Sequence, residues 1–126
     1  FISNLHVMTT ITGEAGGNTL TDRSSDIGIR NRSAGIVGGG VPAIGLLGVN
    51  RSDPFGLTLR SNKVSTPINL NSEPASSTNL SIFSTATPNG FTSSRIAFYS
   101  IGESLDLALL DTRVSNLITA IGAAIP

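Results

Sequence analysis

The spacing of apolar residues changes after Gly102, and that change restricts what the chain can fold into. Leu107, Leu110, Val114, Leu117 and Ile121 recur at intervals of three and four, and Leu105, Leu109 and Ile118 widen the stripe. This is the period of an amphipathic helix. The spacing predicts a helix over 105–121, with Ser104 as N-cap and Asp106 in the first turn, where a carboxylate offsets unsatisfied N–H groups. Gly122 and Pro126 supply the stop. Upstream of Gly102 the pattern is different: short β-branched runs, period-two alternation and frequent turn residues. The expected architecture is an antiparallel β domain over 1–103 followed by one C-terminal helical segment over 104–126, within a single domain.

Seven strand regions can be read from the pattern. Leu5–Thr12 puts Leu5, Val7, Thr9 and Ile11 on one side at period two, and Ile27–Asn31 alternates Ile27 and Ile29 with Gly28 and Arg30. Arg30 and Arg32 are expected to face solvent. Ala43–Val49 and Phe55–Ser61 are expected to pair as a hairpin across the turn Asn50–Pro54, with Phe55, Leu57 and Leu59 on one face. Val64–Leu70 reads as an edge strand because Pro67 cannot donate to a ladder. Asn79–Thr85 and Ser94–Ile101 are expected to form a last antiparallel pair across Ala86–Ser93. Gly13–Ser25 and Asn71–Thr78 read as loops, and Gly38–Gly40 as a sharp reversal.

Composition narrows the function classes. Aromatic residues make up 5% of the chain with no Trp, so the core must come from Ile, Leu, Val and Ala. Eight basic residues balance eight acidic ones; without a basic footprint, counterion release cannot drive nucleic-acid binding, and none is expected. No apolar run approaches the length of a membrane span. Without Cys there are no disulfides and no thiolate metal sites. Low charge with many Ser, Thr and Asn residues fits a virion, extracellular or cell-surface protein. The start at Phe1 leads us to expect that residues preceding it have been removed or left out.

Arg95–Gly102 (RIAFYSIG) followed by Ser104–Leu117 (SLDLALLDTRVSNL), together with Ile44–Leu59 (IGLLGVNRSDPFGLTL), resembles the closing strand, helical end and strand–turn–strand unit of concanavalin A-like lectin/glucanase domains of the laminin G type, found in phage and bacterial surface proteins. The resemblance implies an antiparallel β-sandwich of jelly-roll type. Fewer strands are legible here than a complete sandwich uses, so a reduced or incomplete form is expected. It also raises two activities. Glucan hydrolysis in that superfamily uses two Glu and an Asp on one strand, set apart so that one carboxylate attacks and the other protonates; no E-x-D-x-E occurs here. Glu103 and Asp106 sit at a helix entry, His6 has no legible nucleophile or acid beside it, and no G-x-S-x-G or phosphate-binding glycine motif is present. No catalytic residue is assigned, and no enzyme activity is expected.

Two binding sites remain to be weighed. A sugar site stacks an aromatic ring and fixes hydroxyls with polar groups, which selects Phe55 beside Asn50, Arg51 and Asp53, and Phe91 beside Asn89; the alternative is that both rings fill the core. Asp22 and Asp26 flank a loop and could hold Ca²⁺ through oxygen ligands, unless they serve as turn formers. The helical stripe Leu107, Leu110, Val114, Leu117 and Ile121 either covers the sheet or mediates assembly with other subunits, a homo-oligomer being the natural case. The expected function is a non-enzymatic structural, decoration or adhesion module of a virion or extracellular assembly, with glycan binding at a cell surface as the alternative.

Overall fold

The chain is mainly β, with one C-terminal helix, in a computed structural model that describes residues 5–9, 18–22, 27–33, 37–38, 45–77, 79–82 and 99–125. Its strands are β1 (Leu5–Thr9), β2 (Asn18–Asp22), β3 (Ile27–Asn31), β4 (Val37–Gly38), β5 (Gly48–Asn50), β6 (Gly56–Ser61), β7 (Val64–Asn69) and β8 (Ser81–Ile82), followed by α1 (Leu107–Ala124). They form a five-stranded sheet of order β4-β3-β2-β1-β8 and a three-stranded sheet of order β5-β6-β7. Every described pairing is antiparallel.

In the five-stranded sheet β3 lies between β2 and β4, and four successive residues, Ile27 to Arg30, are buried. Arg30, expected at the surface, is 3% exposed. A strand with neighbours on both edges and covered faces has no solvent side, so alternation stops reporting exposure there. Arg32, just past the strand end, is exposed as expected. β2 falls inside the stretch read as a loop: Asn18 and Asp22 are the turn-type residues, but they only bound the β-branched centre Thr19-Leu20-Thr21, and Leu20 reaches the core. β1 pairs with β2 with a register shift between His6 and Met8, which sets Met8 opposite Leu20. β4 pairs Val37 with Ile29 and Gly38 with Gly28; the reversal expected at Gly38–Gly40 extends into residues 39–40, which lie outside the described residues.

The three-stranded sheet is closer to expectation. β5 and β6 form the anticipated hairpin, although β5 is only three residues long, and β7 is an edge strand carrying Pro67. The β6–β7 turn pairs Ser61 with Val64 across Asn62 and Lys63, whose φ values of 50° and 64° are left-handed, the conformation a two-residue type I′ hairpin requires. Leu57 and Leu59 of β6 join Leu20, Ile27 and Ile29 in one buried cluster, with Leu47, Val49, Ile68 and Leu70 packed at its margin. The two sheets therefore share a core. Fully burying each such side chain is worth about 1.5–3 kcal/mol before entropy is counted.

Phe55 does not follow Leu57 and Leu59 inward; it is 73% exposed. It sits in the bend before β6, where period two does not yet hold. β8 pairs with β1. Of that expected last strand, residues 94–98 lie outside the described residues, and Tyr99 to Ile101 are irregular and exposed.

The helix begins later than the spacing suggests. Asp106, not Ser104, is the N-cap: its Oδ1 accepts from the backbone N–H groups of Ala108 and Leu109 at 2.9 and 3.0 Å. A carboxylate reaching two otherwise unpaired N–H groups is a strong cap. Ser104 lies two residues before this cap, and α1 runs through Gly122 to Ala124.

Candidate functional site

The loop between β5 and β6 is built by its polar residues, and that decides what they have left for a ligand. Asp53 Oδ1 accepts from the N–H groups of Phe55 (2.7 Å) and Gly56 (2.9 Å), an Asx-type turn that bends the chain into β6. Arg51 reaches beneath it. Its Nε donates to Asn31 O at 2.9 Å, and its Nη1 donates to Leu70 O at 2.7 Å and Gly56 O at 3.0 Å. One guanidinium thus ties the end of β3 to the start of β6 and to the chain leaving β7. Burial lowers its pKa, the Asp53 charge opposes that shift, and Arg32 adds to it; a guanidinium nonetheless stays protonated at ordinary pH. Asn50 donates from Nδ2 to Leu105 O at 2.7 Å, fixing the approach to the helix.

Of the residues selected for a glycan, then, Asn50 and Arg51 are engaged within the fold, while Phe55 is free at the surface and Asp53 uses one oxygen for the turn. Asp53, Phe55, Thr58, Pro67 and Asn69 surround a shallow hollow of about 190 Å³. Thr58, Pro67 and Asn69 could not be assigned to it from the sequence, because the β6–β7 register brings them there. Asn89 and Phe91 lie outside the described residues, as does Asp26. Asp22 ends β2, opposite Leu5 and Ile27. Among the described residues no group of three or more His, Cys, Asp or Glu could hold a metal ion.

The helix has two unlike halves. Its first turns rest on the face of the three-stranded sheet opposite the shared core. Gly48 and Arg60 are ladder partners on that face, and Leu107 sits so close over Gly48 that a Cβ there would lie 3.2 Å from Leu107 Cδ2. Arg60 then holds Asp111: Nη2 and Nε lie 2.9 and 3.0 Å from Oδ2. The side chains are 12% and 6% exposed, so this pair is shielded from water and geometrically fixed. Arg60 also donates to Ser65 Oγ at 3.1 Å. Val114 completes the buried footing. The sequence concealed this arrangement, since Arg60 and Asp111 are ordinary surface residue types far apart along the chain.

Beyond Val114 the situation reverses. Every residue from Ser115 to Ile125 is exposed, including Leu117 (53%), Ile118 (47%), Ile121 (50%) and Ile125 (67%). The predicted stripe is thereby divided: Leu107, Leu110 and Val114 belong to the footing, and Leu117 and Ile121 do not. Leu107, Leu110, Val114 and Ile118 line one side of a hollow of about 990 Å³, whose other walls include Leu46–Asn50 and Tyr99–Leu105. Leu117 and Ile121 stand one turn apart in a neighbouring row and do not line it, and Ile125 follows as the extended C-cap.

No known family resolves what these surfaces bind. No protein-family model matches the sequence, and the chain matches no curated protein and no solved structure. Among the described residues no helix is long and apolar enough to cross a membrane.

Proposed function

We propose that this chain is a non-enzymatic structural module of a virion or extracellular assembly, attached to its neighbours through the second half of the terminal helix. The observation that carries this reading is the run of exposed residues from Ser115 to Ile125 with its uncovered Leu and Ile side chains. A helix with such a surface is normally covered by another element or subunit. The fold reading that accompanies it is a reduced sandwich of the concanavalin A-like type; the core cluster drawn from both sheets supports it.

The test is binding of an apolar fluorescent dye to the purified chain and to a Leu117→Lys/Ile121→Lys variant. Lysine suits the last turns of a helix, where a cation offsets the macrodipole, so the helix is retained while the row loses its apolar character. Strong dye binding by the native chain that the variant lacks supports an available docking surface. Equal, weak binding by both removes the reading.

A second reading, glycan binding, is favoured by one observation, the 73% exposed ring of Phe55 beside the hollow at Asp53, Thr58 and Asn69. An exposed ring can stack on the apolar face of a sugar, and the amide, hydroxyl and carboxylate can take its hydroxyls. A glycan panel probed with the native chain and with Phe55→Ala, with and without a Ca²⁺ chelator, tests it. Binding that the substitution abolishes would bring this reading forward, and loss with the chelator would restore a Ca²⁺ role for the Asp-bearing loops. Absence of binding leaves the assembly reading alone.

A further inference from the structure

We infer that Pro67 closes the outer edge of β7 to a further strand, so that the three-stranded sheet does not extend edge to edge into a second copy of this chain. The phase of the hydrogen-bond ladder carries the argument. In an antiparallel pair, opposed residues alternate between those that exchange backbone hydrogen bonds and those that do not. Leu70 N–H donates to Phe55 O at 3.0 Å, one position beyond the Gly56–Asn69 pair, so Phe55 and Leu70 oppose each other at a bonded position. Counting along the ladder by twos, Leu57–Ile68, Leu59–Thr66 and Ser61–Val64 are bonded positions too. The turn at Asn62 and Lys63 gives the same phase from the other end, since a tight turn closes with a bond between its first and fourth residues, here Ser61 and Val64. Val64, Thr66 and Ile68 therefore direct their N–H and C=O groups to β6, and Ser65, Pro67 and Asn69 direct theirs outward.

Among the described residues β7 has β6 as its only ladder neighbour, and Val64 to Pro67 are all exposed, Val64 at 61%. A strand with Val, Thr and Ile side chains and one open edge is a template on which another strand can form. Its outward row would present an N–H group at residues 65, 67 and 69. Pro67 stands at the middle of that row and has none, and its ring occupies the place of the missing hydrogen. An arriving strand would bring a carbonyl to a position without a donor, and the new ladder would be interrupted between Ser65 and Asn69.

Position separates this role from a merely tolerated proline. At 66 or 68 the ring would remove a bond to β6 and leave the outer row complete. At 67, opposite Thr58 in a non-bonded pair, it leaves the β6 ladder whole and breaks the outer row at its centre. The closed edge is a different surface from the uncovered end of α1, so the inference stands apart from the assembly reading above.

Sedimentation over a wide concentration range tests it with Pro67→Thr, made in the Leu117→Lys/Ile121→Lys background so that docking through the helix does not contribute. The expected result is self-association more than about tenfold tighter than that of the background protein, because the restored N–H supplies a bond and pairs a carbonyl that would otherwise be left without one. Pro67→Ala restores the same N–H with a smaller side chain and should shift association in the same direction. Adding Ser65→Pro to Pro67→Thr moves the gap to another outward position and should return the chain to the background mass. The urea midpoint of the monomer should not fall with either substitution at 67, since the bonds to β6 are kept. Thr and Ala variants that stay as monomeric as the background overturn the inference, and so does an association that Ser65→Pro leaves in place, because it would run through another surface. Neither result bears on the dye test of the helix, which is read on chains that keep Pro67.

Discussion

The first two turns of α1 and its last three follow each other without a break in the helix, yet they differ in nearly every physical respect. The first part is capped by Asp106, seated on Gly48 through Leu107, and held by the shielded Arg60–Asp111 pair. In the second, every residue from Ser115 to Ile125 is exposed. Regular apolar spacing therefore does not specify a partner: the same stripe serves the fold at one end and is left open at the other. Stability should reside in the first half and association in the second.

The largest effect that would break this contrast is expected at Asp111. Asp111→Ala leaves Arg60 largely buried without its counter-charge, and removing one member of a buried pair costs about 3 kcal/mol or more. Urea unfolding should show that loss as a lower midpoint at unchanged slope; a midpoint within error of the native one would mean that the helix is not fixed at this point. Gly48→Val comes next. A branched side chain must displace Leu107 from its 3.2 Å approach, an overpacking change worth about 1–3 kcal/mol, and the same unfolding curve reads it.

Asp106→Ala should be milder, about 1 kcal/mol, the usual cost of losing an N-cap. Amide hydrogen exchange would localise it: faster exchange is expected at Ala108 and Leu109, whose N–H groups lose their acceptor. Ser104→Ala serves as the control and should leave those amides unchanged. The smallest effect is expected in the second half. Leu117→Ser should change the unfolding free energy of the monomer by less than about 0.5 kcal/mol, as is usual for exposed positions. A loss comparable to that at Asp111 would show that the second half is also part of the folded core.

The loop at Asn50–Gly56 teaches a related lesson about candidate sites. Polar residues clustered beside an aromatic one suggest a binding loop, and the sequence correctly brought Asn50, Arg51, Asp53 and Phe55 into one place. It could not say which of them were already used. Arg51 is drawn inward because the carbonyls of Asn31 and Leu70, from distant segments, and of Gly56, from the end of its own loop, converge where its fork can reach them, and a planar guanidinium with five donors suits that task. Phe55 is left outside because Asp53 captures its N–H and bends the chain before the strand begins.

What the sequence determined by itself was local: a helix from its 3.6-residue period, a β5–β6 hairpin from two apolar runs and a turn, an edge strand from Pro67, and a mainly β class from all of these together. Such features depend on neighbours within a few residues, where propensity and spacing act directly. The tertiary structure alone decided that Arg30 is buried, that β8 joins β1, that Arg60 meets Asp111, and that the helical stripe is covered only as far as Val114. Each of these depends on which distant surface arrives to cover or pair a residue, and a side chain's own chemistry carries no record of that.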